Sequence, residues 1–128
     1  MNERVTLTVP ALQAYVLVIR TALGGLALVN DLDLDTLDDL RQAADEACDC
    51  LMHQGAPARS LRLEAWSEGG KLRVALQAEL DGKGGESSPE ELELSKVVLE
   101  TLIPEVSLRA RADGLVERVE LAVPKALA

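Results

Sequence analysis

Residues 72–80 constrain the fold more than any other stretch: Leu72, Val74, Leu76, Ala78 and Leu80 recur with a clean period of two. That period places all five side chains on one face of a long strand. Glu68-Gly69-Gly70-Lys71 precedes it and reads as a hairpin turn. Before the turn, Leu61, Leu63 and Ala65 alternate with Arg62, Glu64 and Trp66. The two runs therefore predict an antiparallel hairpin whose apolar face a second layer has to cover.

The rest of the chain supplies that layer. Val5, Leu7 and Val9 alternate with Thr6 and Thr8 as a first strand, closed by Pro10. Leu12, Tyr15, Val16, Ile19, Leu23 and Leu26 then share one face of a helix expected over 12–29, weakened in its last turns by Gly24-Gly25. A second helix is expected over 36–53, with Asp35 as N-cap, Asp38 and Asp39 at the positive end of its dipole, and Gly55 as the stop. Its core stripe is Leu37, Leu40, Ala44, Ala47 and Leu51. Ala43, Glu46 and Cys50 form an adjacent stripe, so Glu46 and Cys50 share a face. Residues 81–88 read as a Gly-rich loop. Ser88-Pro89-Glu90-Glu91 is a capping box that starts a third helix, which Pro104 stops near residue 103. Val106, Leu108 and Ala110 form a strand, Asp113-Gly114 turns it, and Val119, Leu121 and Val123 line the last one. The order β-α-α-β-β-α-β-β predicts an α+β fold: one domain over 1–128, a two-layer α/β sandwich. Its mainly antiparallel sheet has four or five strands, with three helices on one face.

Composition narrows the function. Trp66 and Tyr15 are the only aromatics, which leaves no stacking platform for bases, and a net charge of −9 disfavours a polyanion. No nucleic-acid partner is expected, and an acidic surface suits a basic protein partner. No run approaches the ~20 apolar residues of a membrane span, and no signal peptide opens the chain, so a cytoplasmic location is expected. Cys48 and Cys50 point to different faces of one helix and cannot pair with each other. With His53 as the single histidine, no metal site is expected.

Residues 45–51, Asp-Glu-Ala-Cys-Asp-Cys-Leu, carry a resemblance. They are similar to the N-box helix of the anti-sigma-factor serine/threonine kinases, small bacterial members of the gyrase/histidine-kinase ATPase superfamily. That helix carries Glu-Ala-x-x-Asn, where the Asn binds the magnesium of Mg·ATP and the Glu acts as base on the substrate serine. Glu46 and Ala47 match, and Cys50 stands at the Asn position. A thiol is a poor magnesium ligand, and Asp49 next to it points about 100° away around the helix. The resemblance also implies an Asp-x-Gly-x-Gly box at the end of the long strand, whose Asp receives the adenine amino group. The register set by Leu72, Val74 and Leu76 puts Ala78 at the Asp, with Leu80 and Gly82 at the glycines. A slip of three residues uses Asp81 instead, with Lys83 and Gly85 at the glycines, and flips every side chain. The first register is preferred, and it leaves no adenine acceptor. A third box, Gly-x-Gly-Leu at the start of the last helix, holds phosphates on free amides. Glu93 and Ser95 occupy its glycine positions, where a carboxylate repels phosphate.

The resemblance covers nearly the whole chain, 5–125, while the three boxes each depart toward loss of ATP. The expected function is that of an anti-sigma-factor-like regulatory protein acting by protein binding, without a cofactor. Its partner is a sigma factor or an anti-anti-sigma protein, and it pairs as a homodimer. Two alternatives stand beside it. One is an active Mg·ATP-dependent serine kinase with Glu46 as catalytic base; the other is an unrelated α/β interaction domain.

Overall fold

The computed structural model describes residues 3–82 and 89–126. Its elements are β1 (Arg4–Pro10), α1 (Gln13–Val29), α2 (Leu34–Met52), β2 (Ala58–Glu68), β3 (Lys71–Leu80), α3 (Pro89–Leu102), β4 (Glu105–Ala110) and β5 (Val116–Pro124). All five strands form one antiparallel sheet in the order β1-β2-β3-β5-β4. The central hairpin is built as its sequence requires. Gly69 and Gly70 both take positive φ, 59° and 78°, as a two-residue turn between right-twisted strands demands. Leu61, Leu63 and Ala65 pair with Ala78, Leu76 and Val74, so both apolar sets face the same side.

The helices cover that side. α2 lies across β2, β3 and β5 and is flanked by α1, over β1, and α3, over β4. Because α2 is enclosed on three sides, both of its stripes are buried: Leu40, Ala44, Ala47 and Leu51, and also Ala43 and Cys50. Leu37 near its start is only partly buried. The buried side chains of both layers form one cluster.

Several expectations need correction. The N-cap of α2 is Asp33 and not Asp35. The Asp33 backbone is extended, and its carboxylate accepts from the Thr36 N–H at 2.7 Å, so the helix starts two residues early and Asp35 falls in its first turn. On α1, Leu12 and Tyr15 are exposed, and the buried set is Val16, Ile19, Leu23 and Ala27. Among the described residues α1 packs mainly on α2 and β1, so a narrower and rotated stripe suffices. The helix continues through Gly24-Gly25 to Val29. A Cβ at Gly24 would sit 2.7 Å from Nη2 of Arg41, the guanidinium of an α2 side chain that packs across it. The Asp113-Gly114 turn forms as expected, with Gly114 at φ 88°. The capping Ser88 and the loop glycines Gly84 and Gly85 lie outside the described residues, as does Lys83.

The open face of the sheet is polar. Arg118 on β5 reaches Glu64 on β2 at 3.1 Å, Gln77 on β3 at 2.8 Å and Glu120 at 3.0 Å. Arg62 and Arg4 also approach Glu64. Arg4 lies over Trp66, 4.1 Å from the ring centroid, which buries an outward-facing indole on an uncovered face.

Candidate functional site

α2 and α3 pack side by side but leave a groove of about 310 Å³ toward the C-terminal half of α2. Glu46, Asp49, Cys50 and His53 come from α2 or its cap. Glu91, Leu92, Leu94 and Ser95 come from the first turns of α3, and Gln54 closes the end. The one-turn spacing of Glu46 and Cys50 puts both on this side, as their shared stripe implies.

The floor is apolar and the rim acidic. Cys50 is 7% exposed. Burial, then the charges of Glu46 and Asp49, push its thiol up to about 11, while a hydrogen bond with Ser95 pulls the other way. It stays a neutral thiol at physiological pH. Cys48 is enclosed in the core and is pushed up to about 12, by burial and by Asp45 and Asp49. On the rim, His53 Nε2 lies 3.7 Å from Asp49. No ion-pair partner for Glu46 occurs among the described residues.

Sequence reasoning missed Gln54. It is 7% exposed, donates to the Val116 carbonyl at 2.6 Å, and accepts from the Val116 N–H at 2.7 Å. It also donates to the Leu51 carbonyl at 3.3 Å. The side chain thus completes the ladder where β5 begins and ties it to the end of α2. A single Gln after a helix gives no pattern by which to find such a clamp.

The structure therefore brings Glu46, Cys50 and Ser95 together and leaves the other three candidate positions outside the groove. Ala78 sits on the helix-facing side of β3, buried in the core, in phase with Leu76. The preferred register thus places a methyl group, with no acceptor, where that box needs its Asp. Asp81 is a surface residue held by Arg59 at 3.1 Å. Gly82 follows at φ 78°, its carbonyl accepting from Arg111. Glu93 is exposed on α3 and does not line the groove.

The donor set can be tested against Mg·ATP. Cys50 offers a protonated thiol where a hard oxygen is needed. Among the described residues no three His, Cys, Asp or Glu groups converge to hold a metal. Glu46, Asp49 and Glu91 give the groove the sign of charge that opposes phosphate. These residues do not fit the group.

No family model and no curated protein sequence matches the chain. Among solved structures it is similar to the RsbU and RsbW domains of Rv1364c from Mycobacterium tuberculosis. The TM-score is 0.68 at 14% identity, over 98% of this chain and 34% of that one. The chain thus spans about a third of that structure. The likeness establishes the fold: an α+β sandwich of a five-stranded antiparallel sheet and three helices. Among the described residues no helix is long and apolar enough to cross a membrane.

Proposed function

We propose that this chain is an anti-sigma-factor-like regulator that works in the cytoplasm by binding a protein, with nucleotide binding lost or weakened. Its partner is a sigma factor or an anti-anti-sigma protein. The observation that carries this is the groove beside Glu46: the position and fold suit a nucleotide, while the thiol and carboxylates lining it suit neither magnesium nor phosphate. Ala78 adds the loss of an adenine acceptor. Pairing with a second copy is part of the proposal. Tyr15, Val18 and Val29 leave an apolar stripe of α1 exposed, and Val5 on the edge strand β1 is exposed as well.

One observation favours the alternative, an active serine kinase. Glu46 borders a cavity, where a base would have to stand, and a general base needs only to reach the substrate hydroxyl. Incubation with labelled ATP and a candidate anti-anti-sigma protein separates the two. The proposal expects no labelled product from wild type or from Glu46→Gln, together with a stable complex from both. Label transferred by wild type and lost in Glu46→Gln, with partner binding intact, would establish the kinase instead.

A further inference from the structure

The net charge is distributed unevenly between the layers. Twelve acidic and three basic residues lie on α1, α2, α3 and the α1–α2 connection, so the helical layer carries −9. The rest of the chain carries ten of each sign and is neutral. Of these acidic residues, Glu46, Asp49 and Glu91 line the α2–α3 groove. The apolar floor of that groove does not end at its rim. Leu94, 65% exposed, continues it onto Val97, 58% exposed, one turn further along α3. Two helices with a furrow between them, an uncovered i, i+3 apolar pair and an acidic surround match one ligand geometry. That geometry is a third helix whose own apolar ridge fills the furrow.

We propose that the α2–α3 groove is the docking site for a basic amphipathic helix of a protein partner. Its aliphatic side chains pack on Leu92, Leu94 and Val97, and its Lys or Arg residues reach Glu46 and Asp49. The aliphatic stems of such residues cover apolar surface while their charged heads meet the carboxylates. Charge sets the orientation and speeds the encounter, and the buried apolar contact supplies most of the affinity. An anionic ligand is excluded from the same place by the same carboxylates. The inference rests on the protein-binding role proposed above and specifies its surface.

The probe is a synthetic amphipathic helical peptide of Leu, Lys and Arg, compared with an isomer of the same composition in scrambled order. Both are labelled and titrated by fluorescence anisotropy against the whole chain, wild type, Leu94→Ser and Asp49→Asn. Leu94 and Asp49 are exposed, so both variants keep the fold, and circular dichroism checks it. The patterned peptide should bind about tenfold or more tightly than its isomer. Leu94→Ser should remove most of that advantage. Asp49→Asn should weaken both peptides and flatten their salt dependence. Equal binding of the two isomers, or patterned binding untouched by Leu94→Ser, would overturn the proposal and leave only diffuse charge attraction. A sigma or anti-anti-sigma partner that forms a complex should displace the peptide. A complex that leaves the peptide bound would overturn the groove as its docking site while leaving the protein-binding role intact.

Discussion

Gln54 and the two cysteines show how single residues decide what the site can do. The Gln54 amide satisfies both the N–H and the carbonyl of Val116 in a buried position. Gln54→Ala leaves both groups without a partner, and each buried orphan costs about 1–3 kcal/mol. Chemical denaturation should therefore show a loss of about 2–6 kcal/mol with an unchanged m-value, and Gln54→Glu, which sets a buried carboxylate against the Val116 carbonyl, should not restore stability at pH 7. The cysteines act through their ionisation. Their folded pKa values, about 12 and about 11, lie above the ordinary 9.0. A group raised by folding stabilises the fold below its unfolded pKa, and that contribution is lost as pH rises toward the folded value. Stability should thus fall between about pH 9 and pH 12, and Cys48→Ala should reduce the fall. At pH 8 neither thiol should react with a thiol reagent until the chain unfolds. Fast labelling of the native protein would contradict the burial of both. Cys50 was legible as a neighbour of Glu46, because its spacing from Glu46 is local. Gln54 was not, because its partner lies on β5, far along the chain.

At the scale of elements, what the sequence discloses depends on how many neighbours an element has. The β2–β3 hairpin was legible throughout: both faces follow a period of two, and two glycines at positive φ set the turn. α2 was legible as a helix but not as an enclosed one. Whether Ala43 and Cys50 are buried depends on α1 and α3, which no local pattern reveals. α1 misleads in the opposite way, because its apolar residues outnumber the stripe its two neighbours cover. Trp66 alternates as an outward residue and is nevertheless buried, since Arg4 covers it. On the same open face, burial raises the Glu64 carboxyl, but the Arg118 hydrogen bond and the charges of Arg118, Arg62 and Arg4 outweigh it and leave it below its ordinary value. A carboxylate lowered by folding stabilises above its unfolded pKa, and the contribution is lost as pH falls through the folded one. Glu64→Gln should cost about 1–2 kcal/mol at pH 7, and the difference should vanish as pH falls below the usual carboxylate range. A pH-independent difference in urea denaturation would show that packing, and not charge, carries the effect.

For the whole molecule, the fold and the charge distribution point in one direction. α2 and α3 form an acidic groove with a thiol in its floor, backed by the sheet. The fold was legible in the sequence because the β-α-α-β-β-α-β-β order leaves few ways to cover one sheet face. The candidate site was legible by helical phase only at Glu46 and Cys50, while Ser95, placed by analogy with a box, reaches the groove because α3 packs beside α2. Ala78, Gly82 and Glu93 were placed by analogy with boxes whose residues are absent, and they lie elsewhere. Titration of the whole chain with ATP and magnesium by isothermal calorimetry tests the central claim most directly. No binding heat is expected at physiological nucleotide concentration, for wild type and also for Cys50→Asn, because restoring one ligand restores neither the adenine acceptor nor a phosphate cradle. Saturable binding to wild type with a Kd in the low micromolar range would contradict it.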